Sequence, residues 1–147
     1  MIDFDKAPLT KVERTFNEDQ LIVSKTDLTG KLTYGNRLFY ELAGLTENQC
    51  IGKQHNIVRH PDMPRGVFNL LWTKLKAAEE VFAYVVNRSA NGDHYWVFAH
   101  VTPSRDKTGG INGYHSNRRV ANKRCLNENI IPIYQQLLTI EKNDPSP

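Results

Sequence analysis

The chain has 147 residues, a net charge of +3, and 39% hydrophobic and 24% charged residues, which is enough for one domain with a proper core and too few for two. Its Lys and Arg are scattered among carboxylates, which gives nucleic-acid binding little electrostatic support. No apolar run approaches the roughly 20 residues of a membrane span, and the first residues lack the basic-then-apolar order of a secretory signal.

Residues 1–19 carry few core-type side chains and read as a cap, with Val12 and Phe16 at helical spacing. A strand over 21–25, a turn at Asp27-Leu28-Thr29-Gly30 and a strand over 31–35 form a hairpin. Asn36 ends it, and a short helix over 37–43 is stopped by Gly44. Thr46 followed by Gln49 is a capping-box start for another helical turn that ends near Gly52.

The run His55-Asn56-Ile57-Val58-Arg59-His60-Pro61-Asp62-Met63-Pro64 comes next. Its prolines stop a regular helix, so it reads as a polar loop, loosely helical at its start. Over 65–78, Val67, Phe68, Leu71, Trp72, Leu75 and Ala78 make one apolar helical stripe. A strand over 81–88 puts Val81, Ala83, Val85 and Asn87 on one face, and Asn91-Gly92 marks a hairpin. The strand over 93–101 sets Tyr95, Val97, Ala99 and Val101 against Trp96 and Phe98, so cover is expected on both faces.

Pro103 and a turn over 106–110 end that strand, and 111–119 returns as the last one. A helix over 127–142, interrupted by Pro132, carries a stripe of Ile133, Leu137 and Ile140, and the tail 143–147 is expected to fray. The order predicts an α+β domain with one antiparallel sheet. Cys50 and Cys125 have no zinc or CxxC spacing and read as reduced thiols.

The polar run from Gln54 to Pro64, with Phe68, Trp72, Leu75 and Lys76, is similar to the PAS domain of Aer-type aerotaxis receptors. So is the run Asn91-Gly92-Asp93-His94-Tyr95-Trp96-Val97 after Asn87-Arg88, and Gly113-Tyr114 with Ser116 closes the match. The resemblance covers about residues 9–140 and implies a PAS fold: a five-stranded antiparallel sheet with short helices and one longer helix on one face. It also implies non-covalently bound FAD as a redox reporter of respiratory state or oxygen supply, with Asn36, His55, Arg59, His60, Asp62, Trp72, Asn87 and Tyr95 as cofactor-binding residues.

The residue chemistry agrees. FAD needs an apolar slot, a hydrogen-bonding edge and donors for its pyrophosphate. Arg59 is a fixed fork of donors suited to phosphate, and His55 and His60 add donors. Asp62 would repel phosphate, so it orients Arg59 or accepts from the ribose or adenine. Trp72 offers a flat surface. Asn87 points inward, where a buried amide needs a partner; an amide that flips can match a flavin nitrogen that accepts when oxidised and donates when reduced. Blander assignments exist for each: Phe68 and Trp72 as plain core, Arg59 and Asp62 as a latch, Asn87 satisfied by backbone or water.

Val81 stands where the family has a second Trp, Ser89-Ala90 replaces a basic pair and Asn117 replaces a Val, which bears on redox tuning and output. The implied organisation is a cap over 1–19, a PAS sensor domain over 20–120, and a linker or signalling helix and tail over 121–147. Signalling by conformational change, without turnover, is expected, toward a downstream signalling protein or receptor segment in trans. A homodimer in the cytoplasm is expected, with no nucleic acid and no direct membrane insertion. A haem held by His55 or His60, or a ligand-free interaction module, stays open. A metallo-hydrolase is disfavoured because HxxxxH lacks helical i,i+4 spacing and a catalytic Glu, and a light adduct because the polar loop has no Cys.

Overall fold

Local signals start and stop the first elements. The Asn36 carboxamide accepts from Phe39 N–H at 3.1 Å and so caps the helix that follows, while Gly44, at φ 68°, closes it by donating to Tyr40 O. The Thr46/Gln49 capping box forms as read from the sequence. The computed structural model describes residues 8–143; residues 1–7 of the expected cap and the tail beyond Asn143 lie outside the described residues.

In chain order the elements are β1 (Ile22–Asp27), β2 (Leu32–Gly35), α1 (Arg37–Ala43), α2 (Glu47–Cys50), a 3-10 turn (His55–Val58), α3 (Arg65–Lys76), β3 (Val81–Arg88), β4 (His94–Arg105) and β5 (Ile111–Val120). A helical C-terminal region follows: α4 (Lys123–Cys125), a π turn (Leu126–Ile130) and α5 (Ile131–Asn143). The strands form one antiparallel five-stranded sheet in the order β2-β1-β5-β4-β3, with α1 and α3 packed on its inner face. This is the fold class the sequence predicts.

The inner core is split. Ile22, Phe39, Leu42, Tyr95 and Val97 gather around α1, and Leu71, Leu75, Val81 and Tyr114 gather under α3. Burying such side chains stabilises by about 1.5–3 kcal/mol each. The gap between the two clusters is where the site lies.

Four expectations are corrected. Residues 8–19 are not helical: Val12 and Arg14 exchange backbone hydrogen bonds with His94, at the start of β4, which β5 does not reach. There Gly92, at φ 99°, lets Pro8 O approach to 2.0 Å of where a Cβ would stand. Next, β4 does not stop at Pro103 but runs to Arg105; β3 pairs only as far as Val101, so Pro103 lies on an edge, where a missing N–H breaks no ladder.

The last helix begins at Lys123 rather than 127, and its widened π turn accommodates Pro132, which has no N–H to give. That turn re-phases the helix, so Ile133 and Ile140 are 49% and 62% exposed and the packed face is Leu126, Ile130, Tyr134 and Leu137. Finally, of the cover expected on the outer sheet face from another element or a subunit, α5 supplies part. Tyr134 lies 5.9 Å from Trp96 and donates to Tyr84 O at 2.6 Å, but Phe82 and Phe98 remain 57% and 36% exposed.

Candidate functional site

A core-facing sheet surface normally carries apolar side chains. Here Ser24 and Thr26 of β1, Asn87 of β3, and Ser116 and Arg118 of β5 share the lining of a cavity of about 100 Å³ beneath α3. The helix contributes Phe68, Leu71, Trp72 and Leu75, one stripe at three- and four-residue spacing. Trp72 meets Tyr114 edge-on with ring centroids 5.4 Å apart, and Phe68 at 6.3 Å, so the roof is aromatic.

The polar loop forms the mouth. Arg59 makes an isolated antiparallel bridge with Asn87, which fastens the loop to the free edge of β3, and its guanidinium lies over the Phe68 ring at 4.5 Å. Asn56, Arg59 and Met63 also line an adjoining cleft of about 460 Å³, whose other walls include His60, Arg65 and Lys142, with Glu141 as its acid. An apolar chamber therefore opens into a basic one.

Among the described residues, Thr26 Oγ1, Asn87 Nδ2 and Arg118 Nε are buried cavity-lining atoms without a hydrogen-bond partner. Leaving such a group unsatisfied costs about 1–3 kcal/mol. Arg118, 2% exposed, donates through Nη2 to Ser24 Oγ, and Ser24 Oγ stands 2.9 Å from His55 Nε2. Ser24 Oγ has two lone pairs and one hydrogen, so beside the Arg118 bond it pairs with His55 Nε2 in either direction, set by the imidazole tautomer. Desolvation, then the Arg118 charge, hold His55 down at about 3, and desolvation pulls Arg118 down to about 10. At neutral pH the imidazole is neutral and the guanidinium charged.

Of the residues singled out from sequence, His55, Arg59, Trp72 and Asn87 converge on the cavity. The other four do not line it. Asn36 spends its carboxamide on backbone, accepting from Val23 and Phe39 N–H and donating to Leu21 O at 2.8 Å. His60 is turned toward the α5 side: its Nδ1 accepts from Asp62 N–H at 3.0 Å, and both residues line a groove with Trp96, Tyr134 and Leu138. The Asp62 side chain is 69% exposed there. Tyr95 is core, packed in the α1 cluster, and desolvation pushes its phenol up to about 12.

Sequence reasoning missed Arg118, Ser24 and Thr26. The strand alternation that puts Ser24 and Thr26 on the face of Ile22 was available, but β5 is polar at nearly every position and offers no period to read. Among the described residues, no group of three or more His, Cys, Asp or Glu is placed to hold a metal ion, and no helix is long and apolar enough to cross a membrane.

Comparison with known proteins gives three kinds of finding. The profile described as "PAS fold" matches residues 32–117. The "Aerotaxis receptor" of Escherichia coli (strain K12) is 38% identical over 132 residues, covering 88% of this chain and 25% of that protein, so the chain spans about a quarter of the curated relative. Solved structures share the fold at low identity. The light-state LOV domain of Aureochrome1 superposes with a TM-score of 0.65 at 19% identity, covering 83% of this chain and 91% of that one. The LOV domain from the Erythrobacter litoralis EL346 blue-light activated histidine kinase gives 0.60 at 20% identity, covering 68% and 94%.

Proposed function

The chain belongs to the PAS-fold family, and from that premise we propose that it is a flavin-binding sensor module whose ligand is FAD and whose output is a shape change passed to a partner. The observation that carries this is the orphaned Asn87 amide: a buried Nδ2 with no partner, on the wall of an aromatic-roofed cavity. A flat heteroaromatic ring with acceptors on its edge satisfies that amide and the Thr26 hydroxyl. The adjoining cleft, with Arg59, His60, Arg65 and Lys142 around it, suits a pyrophosphate tail.

The fit has one condition. Sites for ligands of this size hold about 300–1,000 Å³, and the chamber holds about 100 Å³, so the half-buried Phe68 and Trp72 must give way to admit the ring. Once bound, the flavin supplies reversible electron transfer.

The chain's own part is to read that event. The Asn87 backbone pairs with Tyr95 across the sheet and with Arg59 of the loop, so the side chain that meets the ring is carried by a residue joined to both. Three residues back along β3, Tyr84 O holds the Tyr134 hydroxyl of α5, which gives the strand a handle on the C-terminal helix. We assign Asn87 to detection and α5 to output, toward a signalling protein or receptor segment in trans, in the cytoplasm. A homodimer through the exposed Phe82 and Phe98 face belongs to the same proposal. The cap over 1–19, sensor domain over 20–120 and linker over 121–147 are the matching divisions.

The visible spectrum of the freshly purified protein tests this first, followed by heat release and chromatography of the chromophore. A two-band flavin spectrum with FAD released is expected. A Soret band would turn the assignment to haem. A colourless protein that refuses added FAD would favour a ligand-free interaction module, the reading that the small chamber itself supports.

A further inference from the structure

Among the described residues, the buried Arg118 cation has no counter-charge. It lines the cavity from β5, and among the described residues no carboxylate pairs with it. Its two interactions are the Ser24 hydroxyl, through Nη2, and the Phe39 ring face at 5.4 Å. Both are neutral. Its neighbour His55 is neutral as well, and the Tyr95 phenol stays protonated.

Taking an unpaired ion out of water costs several kcal/mol even after relaxation, and folded proteins normally neutralise or pair such a group. Guanidinium does not lose its proton near neutral pH, so pairing is the remaining route. Among the described residues no carboxylate lines the cavity, and Arg118, which does line it, has a buried Nε without a partner. The charge has a purpose only toward something that enters.

Resting on the flavin reading above, we propose that Arg118 is a positioning residue that selects the more negatively charged state of the bound ligand, so that a flavin here is held more tightly reduced than oxidised. Reduction of the ring takes two electrons from a reductant such as dithionite, which is itself oxidised, and one proton from solvent, which forms the N–H bond of the nitrogen that turns from acceptor to donor. The second negative charge is left without a proton and stays on the ring, where the guanidinium favours it. By linkage, the ratio of the affinities for the two states equals the shift in the bound flavin's potential from that of free flavin.

The test is a potentiometric titration with dithionite of FAD-loaded wild type, Arg118→Gln and Arg118→Lys, beside urea denaturation of ligand-free wild type and Arg118→Met. Removing the charge is expected to cut the preference for the reduced state about tenfold or more, a fall of about 30 mV for the two-electron couple, while Arg118→Lys keeps most of it. A folded Arg118→Gln that loses affinity for reduced FAD and keeps it for oxidised FAD supports the proposal equally. Ligand-free Arg118→Met is expected to be more stable than wild type, because it sheds an uncompensated charge. An unchanged potential in Arg118→Gln, or a ligand-free Arg118→Met less stable than wild type, overturns the proposal and makes Arg118 a structural residue. A wild type that takes up no flavin defeats the flavin reading instead; the denaturation comparison then still decides whether the charge serves a ligand.

Discussion

Glu141 caps helix α3 from far along the chain: its Oε1 and Oε2 accept from the Arg65 and Gly66 N–H groups, each at 2.8 Å, across 76 and 75 positions of sequence. A helix N-terminus carries unsatisfied donors and a partial positive charge, and α3 begins at a proline-preceded loop with no local side-chain cap. Burial alone would raise the pKa of Glu141, but those N–H groups and the charges of Arg65 and Arg59 hold it below the usual carboxylate value. A depressed folded pKa means stability that is present above the ordinary Glu range and lost as pH falls through it. Glu141→Ala is expected to lose about 1 kcal/mol at neutral pH, with the difference from wild type shrinking in acid. Urea denaturation at neutral pH and near pH 4 checks both parts.

His55 gives the opposite kind of group the same sign. Its folded pKa is lowered to about 3, so the unfolded chain binds a proton that the folded one refuses. Stability therefore falls as pH drops below the ordinary His value of about 6.5, by at most about 1.4 kcal/mol per pH unit. His55→Gln is expected to flatten the stability profile between there and pH 5. A profile as steep as wild type would show that His55 is not the group responsible.

Asn87→Leu separates folding from binding. The leucine removes an orphaned buried amide, so the ligand-free protein is expected to gain about 1 kcal/mol. The same change removes the proposed flavin partner, and flavin affinity is expected to fall about tenfold or more. Thermal melts without ligand and fluorescence titration with FAD give the two numbers. A variant that is less stable and binds normally would place Asn87 among ordinary core residues.

On the outer face, Phe82 stacks on His100 with centroids 4.2 Å apart and planes 3° from parallel, and Tyr84 and Phe98 extend the patch. Such a surface, left uncovered by α5, suits a second copy of the chain. Light scattering is expected to show a dimer for wild type and a monomer for Phe98→Asp, which sets two charges in the middle of the contact. A monomeric wild type at tens of micromolar ends the dimer proposal.

The fold was legible because its signals are local. Thr46 with Gln49, Gly44 and the apolar stripe of α3 each act within a turn or two, and each sits where it was read, except that the helix ends at Lys76 and leaves Ala78 outside it at φ 65°. What failed was non-local. Pro103 ends a strand only if a neighbour pairs on its N–H side, and the shortness of β3 decides that. Asn36 carries a cap signal of its own, which backbone groups claim before any ligand does. His60 and Asp62 follow Arg59 in sequence, but the prolines around them turn them toward α5, so His60 borders the outer cleft and Asp62 the groove beside it, and neither lines the cavity. Arg118 is the reverse case: nothing beside it in β5 marks it, and only the sheet pairing, Arg118 against Ile22 and Ala99, turns it inward.

The π turn over Leu126–Ile130 has a mechanical consequence. In an α-helix each residue advances the facing direction by about 100°, so a turn that takes in an extra residue rotates everything after it. Tyr134 and Glu141 meet β3 and α3 only because that rotation has been inserted upstream of them. The turn thus sets the phase of the C-terminal helix: without its extra residue the same side chains would face about 100° away from the strand and helix they now hold.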